Sequence, residues 1–358
     1  MSFQGLLLLP FAIIYGLISW VRNKLFDFGI IQEKKHSIPT ISMGNLSMGG
    51  TGKTPHIEYL IRMLQDQYKL ATLSRGYGRK TKGFILADED STFLTIGDEA
   101  MQYFDKFTKV TIAVDENRNH GVEELMKLFP DLDLILLDDA FQHRYIKPGL
   151  NILLSDFYHL YSDDYLLPSG RLREARCGSH RADIVIVTKT PSILSPITRR
   201  RISDELKLRK HQILLFSKIS YGKLCPFSTL NTDALKEHYT HIVLFTGISN
   251  NYPMVDYLKQ FCSDMSVLSF QDHRQFTDND IELILGTYND VYTKNKILVT
   301  TEKDVMRLQA YKKIYLFDDL PLYYLPICTT FHNGDADIFS KKINKYINGF
   351  GKKSKAIK

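Results

Sequence analysis

The sequence predicts an α/β protein with a parallel sheet in its larger domain, a second, smaller α/β domain, and an apolar N-terminal helix. Three observations carry this. Short apolar runs alternate with stretches of helical periodicity from Pro39 to Ser217; the alternation restarts at His241 after a polar, irregular interval; and Met1 to Val21 holds no charged residue. Apolar strands alternating with helices mark a parallel sheet covered on both faces. The composition, 44% hydrophobic and 24% charged, is that of a globular chain. A formal charge of +6, part of it in the tail Gly351 to Lys358, is too small an excess to point to nucleic acid. Cys177, Cys225, Cys262 and Cys328 are widely spaced and form no ligand pattern with histidine, so free thiols are expected and zinc is not. Nothing in the chain implies a protein partner.

Taken in order, "MSFQGLLLLPFAIIYGLISWV" is long enough to be compared with a membrane span, but Pro10 interrupts it and Ser2, Gln4, Tyr15 and Ser19 soften it. It lacks the basic start and small-residue cleavage site of a signal peptide. A docking helix lying on a membrane surface fits better than a span or a helix packed on the core, with Trp20, Arg22 and Lys24 as the interfacial anchor. Residues 1–30 are assigned to it. "PTISM" then leads into a glycine loop, and "HIEYLIRML" places Ile57, Leu60, Ile61 and Leu64 on one helical face. "KLATLS", "KVTIAV", "LDLILLDD", "NILLSD", "DIVIVTKT" and "QILLFS" follow as strands, completing a domain over 31–217. A linker is expected over 218–240. "HIVLFTGI", "SVLSF" and "KILVTTEKD" open the second domain, 241–358, which the amphipathic segment Ala336 to Ile347 closes.

The loop "MGNLSMGGTGKT" carries the chemistry. A phosphate-binding loop reads G-x-x-x-x-G-K-[ST], and here the first glycine is replaced by Ser47. The parts that touch phosphate are intact. Gly49, Gly50 and Gly52 let backbone N–H groups turn inward, and the helix starting near Lys53 adds its positive end. Lys53 suits the β- and γ-phosphates and the Thr54 hydroxyl suits Mg²⁺. The ATP-binding stretch is therefore Ser47, Met48, Gly49, Gly50, Thr51, Gly52, Lys53 and Thr54. "ILLDDAF" is a matching apolar strand that ends in Asp138 and Asp139, candidates for the magnesium shell. Together these predict a P-loop NTPase-like domain.

Of the P-loop classes, a regulatory GTPase would need N-K-x-D or T-K-x-D, and neither "TKTP" nor "TEKD" supplies it. Partition-type ATPases place a lysine where this chain has Met48. A kinase needs a base for a hydroxyl acceptor. The candidates stand after predicted strands, where open α/β sheets bind ligands: Asp98 with Glu99, Asp272 with His273, and His143 with Arg144. Arg75, Arg171 and Arg173 are donors of the kind that hold phosphate.

The strings "GNLSMGGTGKTP", "SRGYGR", "GDEA", "LDDAFQHR", "LPSGRLRE", "FTGISN", "FQDHRQF" and "TTEKD" occur in this order over most of the chain. In this the sequence resembles the tetraacyldisaccharide 4'-kinases of lipid A biosynthesis. The resemblance implies transfer of the ATP γ-phosphate to the 4'-hydroxyl of a tetraacylated disaccharide 1-phosphate, giving lipid IVA. It implies Asp98 as the base or hydroxyl-orienting carboxylate and His273 as its dyad partner, followed by Arg274 where a second histidine or another polar residue is common. Glu99, Asp138 and Asp139 would serve Mg²⁺ with Thr54, while Arg75, Gln142, His143 and Arg171 would shape the acceptor side. Asp98 and His273 fall in different domains, so the dyad implies that the two close over ATP. The resemblance, through its lipid disaccharide substrate, also implies a place at the inner-membrane surface, on the cytoplasmic face in a Gram-negative bacterium, held peripherally or monotopically. The alternative is a membrane-associated P-loop NTPase with a non-lipid acceptor or a regulatory role.

Overall fold

A computed structural model describes residues 7–228, 235–248, 250–271, 275–309, 311 and 313–355. The chain divides into two compact units, one of residues 1–220 and 329–358 and the other of residues 221–328.

Helix α1 (Leu9–Asp27) opens the first unit, and Pro10 stands in its first turn, where a missing N–H costs nothing. Proline therefore begins this helix, where the sequence suggested an interruption. Phe11, Ile13, Ile14, Leu17, Ile18 and Trp20 are exposed along it, whereas Ala12 and Phe26 are buried. Among the described residues no helix is long and apolar enough to cross a membrane.

The sheet of the first unit is built from β1 (Thr40–Asn45), β2 (Leu70–Ser74), β3 (Ile85–Leu86), β4 (Thr111–Val114), β5 (Leu134–Asp138), β6 (Leu150–Asp156), β7 (Ile184–Thr188), β8 (Ile213–Tyr221) and β14 (Ile327–Phe331). Their order is β14-β8-β7-β6-β1-β5-β2-β4-β3. The pairings from β8 through β4 are parallel, and β3 against β4 is antiparallel. At the other edge Gly222 N–H donates to Pro326 O and His332 N–H to Phe216 O, so β14 also runs antiparallel to β8. Every residue of β1, β2, β5 and β7 is buried, which requires cover on both faces.

That cover comes from the intervening helices. On one face α2 (Lys53–Leu64) presents Ile57, Leu60, Ile61 and Leu64, joined by Tyr103 of α4 (Asp98–Lys106). The short helix α3 (Phe93–Ile96) runs straight into α4 through Gly97. On the other face α5 (Arg118–Leu128) buries Val122 and Leu125 against Leu73 and Leu137. Helix α6 (Pro196–Leu206) buries Ile202 and Leu206 against Val185 and Val187.

The second unit has a five-stranded sheet ordered β11-β10-β12-β13-β9. Its strands are β9 (Cys225–Pro226), β10 (Tyr239–Thr246), β11 (Cys262–Ser269), β12 (Lys296–Thr301) and β13 (Leu322–Leu325), and β9 alone is antiparallel to its neighbour. Helices α7 (Tyr252–Leu258) and α8 (Asp278–Asn289) pack on it through Met254, Leu258, Ile281 and Ile284, and α9 (Glu302–Gln309) follows β12 directly.

The closing helix α10 (Asp335–Lys355) belongs to the first unit. Phe339, Ile343 and Ile347 enter the same core as β1 and α2, and the Tyr346 hydroxyl both receives the Thr40 N–H at 3.1 Å and donates to Thr40 O at 3.2 Å. The sequence placed this helix in a domain running from 241 to 358. The structural division differs because β14 returns beside β8 and carries the helix back.

Candidate active site

The site forms where β1 stops. Met43 is level with Asp138 of β5, so the glycine loop and the acidic pair leave the sheet side by side. Position 47 is part of a short ladder. Ser47 bridges Leu172 in antiparallel sense, Met48 N–H donates to Arg171 O at 2.7 Å, and Arg173 N–H donates to Leu46 O at 2.8 Å. Ser47 is buried in extended backbone there, so glycine has no conformational advantage at this position. The turn proper starts later. Gly52 has φ of +84° and caps α2, a conformation that strains any residue with a Cβ.

Three side chains hold the loop from below. Asn45, fully buried, donates to Thr51 Oγ1 at 2.8 Å and to Gly49 O at 3.4 Å. Thr188 of β7 donates to Thr51 O at 2.9 Å. His56 contacts Gly52 O through Nδ1 at 2.6 Å and Ser217 Oγ through Nε2 at 2.9 Å. Burial lowers the His56 pKa to about 4, so the ring is neutral. A carbonyl accepts only, which puts the proton on Nδ1 and leaves Nε2 to receive the serine hydroxyl.

Two adjacent carboxylates face this loop with opposite properties. Asp138 is fully buried, and its pKa is raised to about 7 by burial and by the charge of Glu99, against the pull of Lys53. Tyr103 donates its hydroxyl to Asp138 Oδ2 at 2.9 Å. Asp139 is held below the usual carboxylate range: burial acts to raise it, but the cations Lys53 and Arg173 outweigh that. Lys53 Nζ lies 3.6 Å from Asp139 Oδ1, and Arg173 Nη1 donates to Asp139 Oδ2 at 3.0 Å. Asp139 adopts a left-handed conformation, φ +46°, which aspartate tolerates better than most residues.

These groups fit a magnesium ion. Mg²⁺ is usually held by one or two carboxylates together with substrate phosphates and water. Thr54 Oγ1 lies 3.4 Å from Glu99 Oε1, so a hydroxyl and a carboxylate converge. Oδ1 of Asp138 and Oδ1 of Asp139 are buried without a hydrogen-bond partner among the described residues. Among those residues no three His, Cys, Asp or Glu side chains form a ready-made cation cage.

Beyond these residues, two glycines bring separate loops together. A Cβ on Gly97 would lie 2.6 Å from Tyr77 O, and one on Gly76 would lie 2.9 Å from Ile96 O, so both positions require glycine. The loop of Arg75 is thereby packed against the start of α4, where Asp98 and Glu99 occupy the first turn, the favoured end for carboxylates. Arg75 is exposed, and its charge is felt at half-buried His143. Burial, Arg118 and Arg75 lower the His143 pKa to about 4.

Gln142 is committed to structure: its amide donates to Asn45 O, and its Oε1 receives Arg173 at 3.4 Å. Arg171 places its backbone in the ladder and its side chain in solvent, whereas Arg173 reaches the acidic pair. Arg144 ties α1 to this region, pairing with Asp27 and Glu33 at 2.9 Å each and stacking on Phe26. Tyr15 of α1 donates to Arg173 O at 2.6 Å.

His273, with Asp272 and Arg274, lies outside the described residues. The strings "FTGISN" and "TTEKD" meet within the second unit: buried Asp304 accepts the Gly247 N–H at 2.9 Å and the Thr301 hydroxyl at 2.6 Å, while Arg307 donates to Gly247 O at 3.1 Å.

Two residues at the site escaped the sequence analysis. Tyr103 is one helical turn beyond Glu99, an i, i+4 spacing that could have revealed it. Arg118 is 2% exposed, and burial lowers its pKa to about 10 against the opposing pull of Asp138 and Asp139. A cation at a helix N-terminus is electrostatically disfavoured, and that anomaly was its signal.

A family-wide sequence model described as Tetraacyldisaccharide-1-P 4'-kinase matches residues 4–348. Curated proteins named tetraacyldisaccharide 4'-kinase are similar throughout. That of Phocaeicola vulgatus is 45% identical over 348 residues, covering 95% of this chain and 94% of the relative. That of Bacteroides thetaiotaomicron is 45% identical over 353 residues, covering 95% and 92%. That of Flavobacterium johnsoniae is 44% identical over 341 residues, covering 95% and 96%. The crystal structure of LpxK from Aquifex aeolicus in complex with ATP superposes with a TM-score of 0.73 at 27% identity, covering 96% of this chain and 99% of that one.

Proposed function

The chain belongs to the tetraacyldisaccharide-1-P 4'-kinase family, and from that premise we propose how its own residues carry out the reaction. It is an ATP-dependent lipid kinase. It transfers the γ-phosphate of ATP to the 4'-hydroxyl of a tetraacyldisaccharide 1-phosphate, forming lipid IVA in lipid A biosynthesis. The observation that carries the mechanism is the acidic pair set level with the glycine loop, Asp138 fully buried and Asp139 half-buried beside Lys53, each keeping one buried oxygen without a hydrogen-bond partner among the described residues.

In this mechanism the loop from Gly49 to Thr54 cradles the phosphates with its N–H groups. Lys53, held ready by Asp139, neutralises charge on the β- and γ-phosphates. Thr54, Glu99, Asp138 and Asp139 are the residues that would hold Mg²⁺. When bound, that ion offsets charge on the phosphate oxygens. Asp98 orients the 4'-hydroxyl and takes its proton as the oxygen–phosphorus bond forms and the bond to ADP breaks, with His273 as its partner. Arg75, His143 and Arg171 line the acceptor side, joined by Arg118 and Arg173. Neutral His143 serves as a hydrogen-bonding group, not as a cation.

The substrate is a lipid, and α1 displays an exposed apolar surface while its polar side chains hold the site's loops. Helix α1 docks the enzyme on the cytoplasmic face of the inner membrane. The test of the catalytic assignment is Asp98→Ala. Its kcat should fall about 10²–10⁴-fold with ATP affinity kept. A loss confined to ATP binding would move Asp98 out of the base role.

A further inference from the structure

We propose that Tyr103 is a positioning residue that fixes the Asp138 carboxylate for the cation accompanying ATP; this rests on reading Asp138 as a cation ligand. The Tyr103 ring is fully buried in the core with Ile57, Ile61 and Leu136. Its hydroxyl has a single proton, and that proton is directed at Asp138 Oδ2, 2.9 Å away. The second oxygen, Oδ1, is buried and has no hydrogen-bond partner among the described residues. One oxygen is thus pinned and the other left open beside the nucleotide loop. A carboxylate so pinned cannot rotate to spend both oxygens on one partner.

The donor is itself held in place. Tyr103 rides on α4, and α4 is joined to the P-loop helix α2 at two levels. Thr54 meets Glu99 at 3.4 Å, and Glu58, which is 0% exposed, accepts Gln102 at 2.8 Å and Lys106 at 2.6 Å. The helix that starts at the phosphate loop therefore sets the height of α4, and Tyr103 passes that setting to β5. Phenylalanine would fill the same core volume without the hydroxyl, so the oxygen atom is the functional part.

Tyr103→Phe isolates that atom. Mn²⁺ binding to the full-length protein with a non-hydrolysable ATP analogue, read by electron paramagnetic resonance, should weaken about tenfold, as when a partner that orients a metal ligand is lost. The Mg²⁺ concentration for half-maximal transfer should rise in step, while metal-free nucleotide affinity stays unchanged. Unaltered Mn²⁺ affinity in the folded variant would overturn the proposal. So would an equal loss of metal-free nucleotide affinity, which would make Tyr103 a general prop of the loop. Asp138→Asn separates the premise from the proposal. If it leaves Mn²⁺ binding intact, Asp138 is not a ligand. If it weakens Mn²⁺ binding and Tyr103→Phe does not, the positioning role alone fails.

Discussion

Asn45, His56 and Thr188 do no chemistry, yet each fixes a carbonyl or hydroxyl of the loop that must present its N–H groups to phosphate. His56 allows a test that needs no substrate. Its folded pKa is about 4, against 6.5 in the unfolded chain, because burial excludes water from the charged ring. Between those values only the unfolded chain takes up the proton. Stability tied to neutral His56 is therefore complete above about pH 6.5 and is lost as pH falls towards 4. The full loss is about 3 kcal/mol. Urea midpoints from pH 4 to 7 should slope downward towards acid, and His56→Gln should flatten that slope; an identical slope would refute the assignment. At this scale Lys53, Thr54, Asp138 and Asp139 were legible because phosphate chemistry demands those residue types at that spacing. The choice of Arg173 over Arg171 for the acidic pair was not, since the two flank Leu172 alike in the sequence and only the fold decides which reaches inward.

Helices α2 and α4 form the frame on which the site is mounted, and Glu58 is the joint between them. This buried carboxylate receives Gln102, Lys106 and Arg62 at 2.6 to 2.8 Å. Glu58→Ala should destabilise the protein by about 3–5 kcal/mol, since it removes a fully buried carboxylate that receives Gln102, Lys106 and Arg62. A thermal midpoint within a degree of wild type would show that the joint carries little. The α2 face is readable from the spacing of Ile57, Leu60, Ile61 and Leu64, but that spacing gives no sign that Glu58 is buried, because periodicity says nothing of a charge covered by a partner helix. Helix α1 makes the converse point. Most of its large apolar residues remain exposed, while Tyr15 and Asn23 anchor it to the loops around the site. Deleting residues 1–21 should abolish binding to anionic vesicles and leave nucleotide binding largely intact. Undiminished vesicle binding would contradict the docking role.

For the whole molecule, the alternation of strands and helices foretold a parallel sheet buried on both faces, and the order of its strands puts β1 beside β5, bringing the loop and the acidic pair together. The destination of α10 was hidden. An amphipathic pattern announces a buried face, but Phe339 and Ile343 give no sign of which core receives them. The kinase account stands most directly on one measurement: transfer from γ-labelled ATP to purified tetraacyldisaccharide 1-phosphate, with the lipid product resolved and its new phosphate located by NMR. Wild-type protein should label the 4' position in a lipid-dependent reaction, and Lys53→Ala, lacking the charge that meets the β- and γ-phosphates, should give no labelled lipid. ATP turnover indifferent to the lipid, or near-normal labelling by Lys53→Ala, would contradict the account.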